Sequence, residues 1–176
     1  MVLPRHRTVT GYELSMPHEI VIRRANEGDR EFVVAFVPSL LEFGSRVWRD
    51  TGALHSGFAA ALSRALNDQG HRATVLIAQT HDETPLGFIS LKVVENLEGG
   101  ERGHVADLAV MNSARRMGIG SALMAAAEAW ALDQGFDLLS LDVWSTNDSA
   151  SAFYRHLGYS VDSLTLIKRL RLRRPR

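Results

Sequence analysis

The feature that most constrains this chain is a junction. A short apolar run, "VADLAV" (105–110), leads within a few residues into "RRMGIGSALMAAAEAWA", an alanine-rich helical pattern that opens on Gly118 and Gly120. Glycine weakens a helix, so two glycines at its start call for a reason. The first N–H groups of a helix lack intrahelical partners, and the helix dipole favours negative charge there. Without a Cβ, an anion can approach the backbone closely. Arg115 and Arg116 add guanidinium groups, whose planar fork suits phosphate oxygens. Strand, turn and helix together read as a cradle for a pyrophosphate. Taken alone, the spacing equally allows a structural glycine turn with solvated arginines. A P-loop does not fit, because Gly120 is followed by Ser121 with no lysine. A dinucleotide fingerprint does not fit either. It needs three glycines after the first strand of its unit, and here two follow the fourth.

The remaining pattern predicts one mixed α/β sheet in the order β-α-α-β-β-β-α-β-α-β. A first strand is expected at about 19–24, and Asn26 with Asp29 has capping-box spacing for the helix that follows. That helix is expected to reach about Val37, where Pro38 interrupts it. Leu54, Phe58, Leu62 and Leu66 form the stripe of a second helix ending near Gly70. "ATVLIAQT" and "LGFISLKVVEN" read as a hairpin across the turn "HDETP". "HVADLAVM" is the fourth strand, and "FDLLSLDVW", apolar on both faces, is a covered fifth. "STNDSASAFYRHLGY" is a short helix, and "SVDSLTLIKRLRL" an alternating final strand. Residues 1–18 read as a loose leader, 19–172 as a single domain and 173–176 as a basic end.

Two separated motifs on this order carry a resemblance. "RRMGIG" resembles the acetyl-CoA motif of the GCN5-related N-acetyltransferase (GNAT) superfamily, with Arg115, Gly118 and Gly120 at the matching places. "NDSASAFYRHLGY" resembles its second signature through Asn147, Ala150, Phe153, Tyr154, Gly158 and Tyr159. The resemblance implies a GNAT-like acyl-CoA N-acyltransferase fold and an enzyme that moves the acetyl group of acetyl-CoA to an amine, releasing coenzyme A. It implies that the fourth and fifth strands splay apart. The pantetheine arm would then pair with the backbone of Leu108, Ala109 and Val110. The amides of Arg116, Met117, Gly118, Ile119, Gly120 and Ser121 would hold the pyrophosphate, with Arg115 supporting the loop or the phosphates. Asn147 would bond the pantetheine arm, cap its helix, or do both. Ala150 would leave room for the arm, and Tyr154 would be the general acid that protonates the leaving thiolate.

The base is less well marked, since the fourth strand lacks the glutamate that some family members use. His104 and Asp107 are the candidates on that strand. Strict alternation puts them on opposite faces, with His104 sharing parity with Ala106, Leu108 and Val110. An ordinary imidazole pKa suits base work at neutral pH. Backbone carbonyls with water are an alternative.

On the acceptor side, the loop "LLEFGSRVWRDTG" and residues 160–163 are expected to border a cleft. Phe43 and Trp48 could wall it, and Glu42 and Asp50 could attract a cation, although ordinary helix packing and surface charge explain each of the four better. His81, Asp82 and Glu83 are expected to be a solvated turn.

Charge and composition limit the partners. The chain has 20 basic and 20 acidic residues, but its last nine residues hold six of the basic groups and no acid. The tail contains no aromatic residue, so no stacking surface for nucleic acid is indicated. Absence of cysteine excludes disulfides and thiolate chemistry, and no metal is called for. No run of eighteen apolar residues or signal-peptide core is present, which makes a cytoplasmic protein without a membrane partner the expectation. A small amine is the expected acceptor. A protein N-terminus or lysine, a noncatalytic acyl-CoA-binding module and a homodimer are further readings.

Overall fold

Two strands rich in β-branched and large apolar residues form the centre of the sheet. In the computed structural model, which describes residues 20–44, 49–96, 99–168 and 170, β2 (Ala73–Gln79) and β3 (Pro85–Glu95) pair antiparallel. Their turn closes through Thr80 N–H to Thr84 O at 3.0 Å and Glu83 N–H to Thr80 O at 3.1 Å. The Thr80 hydroxyl also donates to the Asp82 carboxylate. β1 (Val21–Arg24) lies antiparallel outside β2, and β4 (Glu101–Val110) antiparallel outside β3. β5 (Leu139–Leu141) runs parallel to β4, so the order is β1-β2-β3-β4-β5.

Alternating side chains on these strands feed two cores. On one face, α1 (Arg30–Val34), α2 (Val37–Leu41) and α3 (Thr51–Asn67) cover Val75, Ile77, Phe88 and Ala109. On the other, α4 (Ile119–Asp133) and α5 (Asp148–His156) cover Ile89, Leu91 and Val105. Asn26 and Asp29 make the expected capping box around a single 3₁₀ turn ahead of α1. α1 stops at Val34, and Pro38 falls in the first turn of α2, where its missing N–H is harmless. The predicted stripe packs as expected, with Leu62 and Leu66 buried and Leu54 and Phe58 against them. α3 starts on Asp50, whose carboxylate accepts from Ala53 N–H at 3.0 Å.

α4 and α5 both end in a Schellman turn. In α5, Gly158 N–H reaches Arg155 O and Tyr159 N–H reaches Tyr154 O, each at 3.0 Å, with Gly158 at φ +93°. A left-handed residue is required there, which is why "GY" follows the helix. The turn folds Tyr159 back to 6.1 Å from the Tyr154 ring.

Two expectations about the last third of the chain are corrected. The fifth strand is only three residues long: the chain leaves β4 after Leu141 pairs with Val105, and Trp144 turns away to donate its indole N–H to Leu40 O at 3.3 Å. Residues 160–168, read as the start of a final strand, have no regular secondary structure and are exposed. Alternation alone does not make a strand when no neighbouring backbone supplies the ladder. The leader at 1–18, Trp48 and the basic end at 173–176 lie outside the described residues.

Candidate acyl-CoA site

The glycine turn is built as an open anion cradle. After a 3₁₀ turn at Asn112–Ala114, Arg115 is extended, while Arg116 (φ +65°) and Gly118 (φ +81°) are left-handed. A non-glycine residue with positive φ is uncommon and needs support from its surroundings. Buried Ala114 and Ile119 hold the turn at its two ends. Between them Arg115, Arg116, Met117 and Gly118 are exposed. Gly118 is the N-cap of α4, and no side chain caps that end. The first amides of a fifteen-residue helix are therefore open to a ligand. A Cβ on Gly118 would meet nothing within 4 Å, whereas one on Gly120 would lie 3.3 Å from the Phe153 ring. Uncapped amides, a Cβ-free rim and two exposed guanidinium groups fit a diphosphate.

Beside the cradle the sheet opens. β5 pairs only with Gly103, His104 and Val105, although β4 continues to Val110. Leu108, Ala109 and Val110 lie on the part of β4 that β5 leaves unpaired. Their side chains are anchored, Ala109 in the α1–α3 core and Leu108 and Val110 against the α4 core. That leaves their main chain on the β5 side to serve an extended ligand. Asn147 caps α5, its side-chain oxygen accepting from Ala150 N–H at 3.0 Å.

A bulge in β4 revises the geometry of the two base candidates. His104 pairs with Lys92 and Asp107 with Ser90, with the register shifting between Ser90 and Leu91. Lys92 and Ser90 are two residues apart, so His104 and Asp107 share a face. The expectation that they oppose each other is wrong, as is the shared parity of His104 with Leu108 and Val110. One extra residue at Ala106 inverts everything after it, which period-two counting cannot detect.

Asp107 accepts from the Ser90 hydroxyl at 3.1 Å. Burial raises its pKa above the ordinary carboxylate value, partly offset by Ser90 and Lys92. His104 Nδ1 lies 3.0 Å from Ser140 Oγ, and Nε2 lies 3.9 Å from an Asp142 oxygen. Burial and Lys92 lower its pKa, holding the ring neutral near pH 7. Tyr154 projects from α5 with its ring 5.2 Å from that of Phe153. Burial and the Asp107 charge raise its pKa to about 12, so it stays protonated.

Asp107 also lines a cleft of about 260 Å³ between α3 and the β3–β4 pair, with Ser90, Lys92, Arg64 and Asp68 around it. Glu42, Phe43, Asp50 and residues 160–163, the described residues expected on the acceptor side, do not line that cleft. Trp144 packs on Gly44, and Arg49 lies 4.3 Å above its ring. Thr146 donates to Phe43 O at 3.1 Å. These contacts dock the loop after β5 onto the end of α2. Asp50 is occupied as a helix cap, and Glu42 is exposed. Sequence reasoning missed Ser90, Lys92, Ser140, Asp142 and Trp144. Ser90, a polar residue inside the apolar run "GFISLKVV", is the one that carried a signal.

Residues 40–159 match the model of the acetyltransferase (GNAT) family. This chain belongs to the GNAT family. An aminoglycoside N(6')-acetyltransferase type 1 of Klebsiella aerogenes is 37% identical over 91 residues, covering 50% of this chain and 60% of that protein. An N-terminal acetyltransferase complex ARD1 subunit homolog of Dictyostelium discoideum is 32% identical over 93 residues, covering 52% and 45%. The chain thus spans about half the length of the curated relatives it matches. The crystal structure of a GCN5-related N-acetyltransferase from Ralstonia eutropha superposes with a TM-score of 0.67 at 25% identity, over 86% of this chain and 98% of that one. The GNAT match takes in the cradle, the strand opening and Tyr154, and ends at Tyr159 before the exposed tail.

Proposed function

We propose that the chain is an acetyl-CoA-dependent N-acetyltransferase acting on an amine. The observation that carries this reading is the uncapped start of α4 directly beside the unpaired half of β4. A diphosphate and an extended amide-bearing arm would be held there in continuity. Acetyl-CoA supplies an acetyl group activated as a thioester. The amides from Arg116 to Ser121 bind the diphosphate, with Arg115 and Arg116 adding charge. The backbone of Leu108, Ala109 and Val110 takes the arm, and Ala150 and Asn147 border it.

The amine needs to arrive neutral, and the thiolate needs a proton as the carbon–sulfur bond breaks. Tyr154 stays protonated at neutral pH and serves as the acid. Asp107, on the cleft wall and coupled electrostatically to Tyr154, serves as the base, directly or through one water. His104 faces the same side, and its contacts with Ser140 and Asp142 favour a supporting role. The cleft beside Asp107 is the acceptor site and has room for a small amine. The aminoglycoside-acetyltransferase relative supports a small acceptor. The ARD1-homolog relative supports a protein N-terminus as the second reading.

Turnover of acetyl-CoA with a panel of small amines and N-terminal peptides, with acetylated products weighed by mass spectrometry, tests the assignment. Product from small amines and none from peptides is expected. Tight CoA binding without product from any acceptor would replace the enzyme by a noncatalytic binding module.

A further inference from the structure

The cleft that holds Asp107 carries two cations that the fold itself does not use. Arg64 lies on the last turn of α3 and Lys92 on β3, both exposed and both on the cleft wall. Other basic side chains are engaged: Arg23 pairs with Asp29, Arg72 with Glu101, and Arg30 bonds Asn67. Arg64 and Lys92 have no ion-pair or hydrogen-bond partner among the described residues.

Two carboxylates share that wall. Asp107 is held by the Ser90 hydroxyl at 3.1 Å, and Asp68 is exposed at the C-cap of α3. A cleft with both signs of charge suits a ligand with both signs. The planar fork of Arg64 matches the two oxygens of a carboxylate, and Lys92 adds a point charge. Much of the remaining wall is small, with Ala61, Ala65, Ala73 and Ala106. Its volume of about 260 Å³ lies below the roughly 300–1,000 Å³ of pockets that enclose drug-sized ligands. The size is that of a single amino acid.

We propose, on the acetyltransferase reading of this cleft, that the acceptor is a zwitterionic amine of amino-acid size. Arg64 and Lys92 bind its carboxylate while Asp107 faces its amine. The same pair disfavours a polycation. An aminoglycoside, with several ammonium groups and no anion, would bring like charge against Arg64 and Lys92.

The test measures acetyl-CoA turnover with the standard α-amino acids, β-alanine and γ-aminobutyrate, each beside the amine left by removing its carboxyl group, and with an aminoglycoside. At least one carboxylated amine should show a kcat/KM about tenfold or more above that of its partner. In Lys92→Met and in Arg64→Gln that ratio should fall about tenfold, through KM rather than kcat, as one charge-assisted hydrogen bond is lost. Lys92→Arg should restore most of it. The charge of Lys92 also acts on Asp107, but both amines of a pair use the same base, so the ratio cancels that effect. Equal kcat/KM within every pair, a preference for the aminoglycoside, or a ratio unmoved in both variants would overturn the proposal and leave the enzyme standing. No product from any amine, with CoA bound, would overturn the acetyltransferase reading and the proposal together.

Discussion

At the scale of single residues, three side chains near the β4 bulge divide the proposed chemistry by environment. Tyr154 is buried near a carboxylate and keeps its proton. Tyr154→Phe retains the ring contacts with Phe153 and removes only the hydroxyl. It should lower kcat by about 10²-fold, the lower end for a lost general acid, with CoA affinity unchanged in calorimetry. Undiminished kcat in a chemistry-limited assay would leave Tyr154 as packing. Asp107 has the opposite problem, since burial disfavours its charge. As a base it works only when ionised, so kcat/KM should rise with pH through its raised pKa and level off above it. Asp107→Asn should abolish that rise and cut turnover. The folded state should not suffer, because the wild type holds a carboxylate that burial opposes above its pKa. An equal or higher melting temperature, read beside the pH–rate profile, is expected. A pH profile identical to wild type would pass the role of base to His104.

At the scale of elements, the helix starts matter most. Gly120 sits in the first turn of α4 with Phe153 behind it. Gly120→Asp should cost about 1 kcal/mol of stability from crowding that ring. It should remove most CoA affinity, because a carboxylate would face the diphosphate. Circular dichroism and calorimetry on the same sample separate the two effects, and wild-type affinity would make the turn merely structural. At the other end of the chain, Asp29 accepts from both terminal nitrogens of Arg23, at 2.7 and 2.8 Å, and from the Asn26 N–H at 2.8 Å. The Arg23 contact above all holds its carboxyl below the usual range. Its folded pKa is depressed, so its contribution is complete above the unfolded carboxylate value and is lost as pH falls through the folded one. Asp29→Ala should therefore destabilise by about 3 kcal/mol at neutral pH. Denaturant titrations in acid should show that difference shrinking, and a constant difference would mean the ion pair is not its source.

For the molecule as a whole, a ligand that binds only the folded state must raise its apparent stability. Saturating CoA, at about 100 times its Kd, should add about 2.7 kcal/mol to unfolding. Thermal shift checks this, and no shift together with no calorimetric binding would remove the CoA assignment. Much of this architecture could be read from local pattern. Asn26–Asp29 spacing, the Leu54–Leu66 stripe, the hairpin turn and the glycines before α4 are decided by interactions within a few residues, and the sequence by itself determined them. So were the glycine turn at the start of α4 and the place of Tyr154 on a short helix, because turns and helical periodicity are local. The bulge at Ala106, the shared face of His104 and Asp107, the shortness of β5 and the exposure of the tail were not legible. Each depends on which backbone lies alongside, and a one-residue change of register between distant strands leaves no trace in the periodicity of either. Only the tertiary structure decided them, because strand pairing is a non-local choice in which hydrogen bonds of equal strength are available in more than one register, and packing across the sheet selects among them.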